Sequence, residues 1–284
     1  MINISELDIN ELVNATSSSG PNVDFQSGSV GEVVGEVGES ESLRIIPDMN
    51  MSALSTQRYT GAPWFNECKN TKVLVFGAGG ISSWTVLALS RLCLMDIVIY
   101  DSDNVSPYNL AGQFYRQGNI GDPKVLSLNM NVRMFSPDCF ITCRNMRIFD
   151  DTTIDADTCD SNIAISGVDS MRSRKSIYNC LINSGFTGLY IDGRLSADTF
   201  QVICFDFNDV QARSRYQSEY LFDDSEALES ICSFKQTTYM AMMIGAFISN
   251  LVVNAINNKI NLIEYNLPFF TEYSAIQTKM ESKR

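Results

Sequence analysis

Lys72-Val73-Leu74-Val75-Phe76 runs straight into Gly77-Ala78-Gly79-Gly80-Ile81-Ser82. The first five residues are an apolar, β-branch-containing run of strand length. From Ile81 to Leu94 the apolar side chains recur at helical spacing, so the glycines mark a strand-to-helix turn. Glycines at such a turn let backbone N–H groups approach an anion, and the helix N-terminus adds partial positive charge. The pattern is a phosphate cradle of Gly77, Gly79, Gly80 and Ser82, with Ser82 where a dinucleotide fingerprint has glycine. Alone it names no particular nucleotide, and a tight turn serving packing alone uses the same residues.

The chain around this turn alternates. Asp96–Tyr100 reads as a second strand, Lys124–Met134 as a second helix and Phe140–Ile148 as a third strand. Asn162–Val168 follows as a fourth strand and Arg172–Asn183 as another helix. Strands alternating with helices predict an α/β fold of Rossmann type: a mostly parallel sheet with helices on both faces. Gly188–Ile191 and Thr199–Phe207, joined by a short connection, are expected as antiparallel edge strands. Residues 208–236, polar and acidic, are expected as a long excursion, and such loops commonly act as lids or binding segments.

Composition narrows the function. The net charge is −12, and residues 1–45 carry eight acids against one base, so −7 of it lies there. That stretch, with its near-repeat at 31–39 and few aromatics, reads as an acidic flexible tail. Residues 46–284 are expected as one domain. Without clustered Lys and Arg there is no electrostatic footprint for nucleic acid. Histidine is absent and the eight cysteines form no C-x-x-C pair, so no zinc site and no histidine general base are expected. The start has no basic segment followed by an apolar run, so a reduced, cytoplasmic protein is expected. Tyr239–Ile256 is apolar but interrupted by Gly245, Ser249, Asn250 and Asn254. It is expected as a buried core helix, with no membrane partner.

Asp101 ends the second strand, 22 residues after Gly79, where a carboxylate accepts hydrogen bonds from ribose hydroxyls. After it come Asp103, Val105, Asn109-Leu110, Gln113, Arg116, and then Gly121-Asp122-Pro123-Lys124. This series resembles, in order and approximate spacing, the ThiF/MoeB/HesA family and the adenylation domains of ubiquitin-activating enzymes. Those share Gly-x-Gly-Gly-x-Gly, then Asp-x-Asp-x-Val-x-x-x-Asn-Leu-x-Arg-Gln, then Gly-x-x-Lys. Val168-Asp169-Ser170-Met171 and Arg174, Ile191-Asp192-Gly193-Arg194, and Cys232 with Lys235 extend the resemblance to smaller bacterial and viral-type members over about residues 58–257.

The resemblance implies an adenylyltransferase that uses Mg-ATP to activate a carboxylate, the C-terminus of a small protein or peptide, and releases pyrophosphate. It implies Asp101 at the ribose and Asn109 at the phosphate region, with Asp103 and Gln113 also lining the nucleotide site. Lys124 would face the triphosphate and Asp169 magnesium. Lys124 as a solvated helix-start lysine and Asp169 as a helix N-cap are the plain alternatives. Gly112 stands where the family has arginine, and Arg116 is the candidate replacement. Arg58 is the candidate that reaches across a homodimer. Cys232, with Lys235 nearby, is either a thiolate nucleophile or a packed loop residue. Ser82 and Gly112 leave open a catalytically weak nucleotide-binding scaffold of the same fold, and the glycine loop with Asp101 leaves open an NAD(P)-dependent oxidoreductase.

Overall fold

The computed structural model describes residues 58–59, 61–94, 96–155, 158, 160–223, 236–260 and 264–284. All of them belong to one unit, Asp48–Arg284. The expectations for the acidic tail and for Cys232 and Lys235 lie outside the described residues.

A short helix, α1 (Phe65–Cys68), precedes β1 (Lys72–Phe76), and the glycine turn leads into α2 (Gly80–Arg91). Then come β2 (Asp96–Tyr100), two 3₁₀ turns (Pro107–Asn109 and Gln117–Asn119), α3 (Lys124–Arg133) and β3 (Phe140–Arg144). β4 (Ile163–Ser166), α4 (Met171–Asn183), β5 (Leu189–Leu195), β6 (Thr199–Asp206) and α5 (Val210–Tyr220) follow. α6 (Thr238–Ile260), β7 (Phe270–Ser274) and β8 (Lys279–Lys283) complete the described elements.

The eight strands form one sheet in the order β3-β2-β1-β4-β5-β6-β7-β8. β1 pairs in parallel with β2 and β4, so the progression of strands reverses around it. In α/β sheets the crevice beyond the carboxyl ends of the strands at such a reversal is where ligands bind. The side chains sort by strand alternation. Val73, Val75, Ile97, Ile99, Ile163, Ile165 and Ile191 face α2, α3 and α6 in one core. Leu74, Phe76, Val98, Tyr100, Ala164 and Tyr190 face α4 and α5 in the other. Two apolar faces, each covered by helices, account for the near-continuous hydrophobic runs of the parallel strands.

Three expectations are corrected. β5 pairs in parallel with β4, and only from β6 onward is the sheet antiparallel. Residues 210–220, expected within an irregular excursion, form α5. Its polar sequence hides an amphipathic pattern, and the start signal is Asp209, whose carboxylate accepts from the Gln211 and Ala212 N–H groups. β7 and β8 were not anticipated; β8 is exposed throughout and carries no burial pattern to read. The third strand also stops early, at Arg144.

The apolar segment near the C-terminus is a single helix, α6, with mean hydropathy 1.7 over its most apolar window, of which 56% is buried. It is long and apolar enough to span a membrane, but its inner face packs on α2, β5 and β6. Gly245 sits at the crossing: a Cβ there would lie 2.9 Å from Trp84 Cβ and 3.0 Å from the Thr85 backbone nitrogen.

On the opposite face the fully buried Asp192 carboxylate fixes β5 to α4 and α5. Arg174 Nε donates to it at 3.0 Å, Arg194 Nε at 2.9 Å and the Tyr216 hydroxyl at 3.1 Å. Arg194 continues to the Tyr220 carbonyl, and Arg174 to that of Gly193. Removing one partner of a buried ionic cluster leaves uncompensated charge. Asp192→Ala is therefore expected to lower unfolding free energy by about 3–5 kcal/mol in urea titrations, with both arginines left unpaired.

Candidate nucleotide site

Gly77 has φ +90°, a left-handed conformation that a side chain would strain, and a Cβ there would press on the Gly167 carbonyl at 3.1 Å. Its N–H donates to the Tyr100 carbonyl at 2.7 Å, which binds the turn to the end of β2. Gly79 is different. It has an ordinary φ of −82° as the N-cap of α2, and a Cβ there would meet nothing within 4 Å. Neither backbone conformation nor packing demands glycine at 79, and its bareness leaves the space above the helix N-terminus open.

Asp101 closes one side of this space. Its Oδ2 accepts from the Ala78 N–H at 2.6 Å and its Oδ1 from the Asp103 N–H at 2.7 Å. Burial pushes its carboxyl above the ordinary value, opposed by Lys124 and the two backbone donors. Lys124 begins α3. Its side chain is largely buried, and Nζ lies 2.8 Å from Asp103 Oδ2. Lys124 is thus not a freely solvated helix-start lysine, although its partner Asp103 is exposed.

Sequence reading missed Tyr115. Its buried hydroxyl lies 2.6 Å from the Ala78 carbonyl and 3.3 Å from that of Lys124. It therefore ties the glycine loop to the start of α3. Burial, then the charges of Asp101 and Asp103, hold it well above the ordinary phenol range, so it stays a neutral donor. An isolated tyrosine in a loop gives no sequence signal of this role.

Other candidates divide. Asn109 is buried, and its Oδ1 is taken by the Ser106 N–H at 2.9 Å and hydroxyl at 2.8 Å, shaping a 3₁₀ turn. Asn119 repeats the arrangement on the Arg116 N–H at 3.0 Å. Gln113 lies between the turns with its Oε1 buried and unpaired among the described residues. Arg116 and Arg58 are exposed. Asp169 follows β4 and is exposed, but it is not the helix cap. Ser170 is, its hydroxyl accepting from the Ser173 N–H at 3.2 Å. The capping alternative for Asp169 is excluded, and the residue follows the carboxyl end of β4, the strand beside β1.

Ser82 requires a correction. Expected as a ligand of the nucleotide, it is fully buried, and its hydroxyl points at β4's end: a Cβ on Gly167 would come within 2.2 Å of Ser82 Oγ. The hydroxyl has no partner among the described residues. A third fingerprint glycine exists to let helix and strand approach closely. Here the bare residue is on the strand and the side chain on the helix. A second exchange occurs at Gly112. A Cβ there would come within 2.4 Å of the Gln236 Nε2, so the amide of Gln236 fills the space beside it.

The profile of the ThiF family matches residues 53–284. The chain belongs to the ThiF family. The tRNA threonylcarbamoyladenosine dehydratase of Escherichia coli is 24% identical over 123 residues, 43% of this chain and 46% of the dehydratase. The matched region thus spans less than half the length of that curated relative. The fold is shared with PaaA (TM-score 0.62, 14% identity, 87% of this chain and 77% of that one). It is also shared with E. coli MccB, solved with ATP (TM-score 0.58, 14% identity, 78% and 66%). The dehydratase structure in complex with ATP gives 0.56 at 18% identity, over 73% and 93% of the two chains.

The Ser82–Gly167 contact yields a stability test. Gly167→Ala drives a methyl into a buried hydroxyl, and overpacking of this kind costs about 1–3 kcal/mol. Ser82→Ala removes an unpaired hydroxyl and is expected to be neutral or stabilising. In denaturant titrations the double variant should recover most of the loss seen in Gly167→Ala.

Proposed function

We propose that this ThiF-family chain is an adenylyltransferase that uses Mg-ATP to activate a carboxylate. The observation carrying the reading is the open cradle over Gly79, bounded by Asp101 and Lys124 and linked through Tyr115. It accounts for a bare residue that neither the backbone nor its neighbours require. The ATP-bound relatives support the choice of nucleotide. The acceptor we infer is the C-terminus of a small protein or peptide.

Chemically, an acceptor carboxylate oxygen bonds to the α-phosphorus, the bond from that phosphorus to the β-bridging oxygen breaks, and pyrophosphate leaves with the electron pair. No proton is abstracted, so a chain without histidine has the groups it needs. Asp101 accepts from the ribose hydroxyls. Lys124 exchanges Asp103 for phosphate oxygens, which its exposed partner permits, and so neutralises charge on the departing pyrophosphate. Magnesium bound through substrate phosphates commonly needs only one or two carboxylates, and Asp169 would supply one. The metal would supply further charge neutralisation on the phosphates. Arg116 extends the positive rim, and Arg58 is assigned to the neighbouring site of a homodimer.

The Ser82 and Gly112 departures from the family pattern carry little weight for an inactive scaffold, since each is matched by a compensating residue. The test is calorimetric titration of the full chain with Mg-ATP. Lys124→Ala should weaken binding about tenfold or more, the loss typical of a charge-assisted hydrogen bond. Thermal stability should fall through the lost packing of the buried stem and little through the ion pair, because Asp103 is exposed. Asp169→Asn should weaken binding only when magnesium is present. Wild-type affinity in the Lys124→Ala protein would contradict the assignment. ATP–pyrophosphate exchange that appears only with a peptide bearing a free C-terminal carboxylate would identify the acceptor class.

A further inference from the structure

We infer that Gln236 is a phosphate-positioning residue of this ATP site, its carboxamide doing the work that an arginine at position 112 does in the family pattern. The inference rests on the ATP-binding reading above. Gln236 precedes α6, yet its amide reaches the glycine loop: a Cβ on Gly80 would lie 2.3 Å from its Oε1, and one on Gly112 would lie 2.4 Å from its Nε2. The carboxamide therefore lies between the first turn of α2 and the loop after Asn109, touching the two residues whose bareness makes room for it.

Both walls of this slot are pinned. Trp84 Nε1, from α2, donates to the Gly112 carbonyl at 3.1 Å. The Thr238 hydroxyl, two residues beyond Gln236, donates to the Ala111 carbonyl, and the Thr237 hydroxyl to that of Ala197 at 3.3 Å. The Phe114 N–H donates to the Ser83 hydroxyl at 3.0 Å, which closes the same loop onto α2. Gln236 is half-buried, and none of the described residues is hydrogen-bonded to its amide. A carboxamide carries two N–H donors. The amide oxygen lies toward Gly80 and the nitrogen toward Gly112; with no hydrogen-bond partner among the described residues, those donors are left for the anion that the turn accepts. Positive charge then comes from Lys124 and the helix, while Gln236 contributes direction without charge.

The test compares Mg-ATP with adenosine, which lacks phosphates, by calorimetric titration of the full chain. Gln236→Glu keeps the shape of the side chain but replaces donors with negative charge. Gly112→Ala evicts the amide tip, the mobile end of a flexible side chain, without altering residue 236. Each is expected to weaken Mg-ATP about tenfold, to leave adenosine within about twofold of wild type, and to leave the melting temperature unchanged. Should Gln236→Glu melt early, Gly112→Ala carries the test. Equal losses for ATP and adenosine would mean that Gln236 only packs, and tighter ATP binding would mean that it obstructs; either overturns the proposal. A wild-type chain that binds no Mg-ATP would overturn the underlying reading instead.

Discussion

The first turn of α2 has almost no freedom. Gly77 is locked in a left-handed conformation beneath the Gly167 carbonyl, Ala78 is tied to Asp101, Ser82 is pressed against Gly167, and Gly245 of α6 crosses at Trp84 and Thr85. Gly193 on β5 completes the seat, since a Cβ there would meet Ile81 and Ile248 at 3.1 Å. Close approach of one helix end to two strands and a second helix is the constraint from which the site follows. It aims the α2 N–H groups into the crevice and leaves Gly79 bare above them. A nucleotide site of this kind works through fixed dipoles, and fixed dipoles require a helix that does not shift when charge arrives.

The same seat explains why this chain departs from its family's pattern without losing the geometry. The volume at a close contact must be shared between two residues, and which of them gives up its side chain is free. At the α2–β4 contact Gly167 is bare and Ser82 is not; beside the first turn Gly112 is bare and Gln236 fills the gap. Each exchange moves a side chain across an interface. A single-position reading of the glycine motif sees only a missing glycine and a missing arginine, and takes both for losses.

Much of the fold was legible because the parallel strands are covered on both faces and read as continuous apolar runs, with helical spacing between them. The places of Asp101 after a strand end and of Lys124 at a helix start were legible because strand ends and helix starts have sequence signals. What was not legible depended on partners distant in sequence. β5 looked like half of an antiparallel hairpin because its pairing with β6 is local, while its parallel pairing with β4 crosses a helix. α5 is so polar that its helical pattern was not read, although Asp209 supplies an N-cap signal. Tyr115 and Gln236 owe their positions to the loop between β2 and α3 and to the approach of α6, and neither belongs to a local pattern.

The central claim is that this rigid cradle is built for ATP. Thermal unfolding of the full chain, monitored with saturating Mg-ATP, with NAD and with NADP in parallel, tests it directly, because a ligand that binds the folded state raises its melting temperature. The account predicts a rise with Mg-ATP and none with either dinucleotide. Stabilisation by NAD or NADP alone would contradict it.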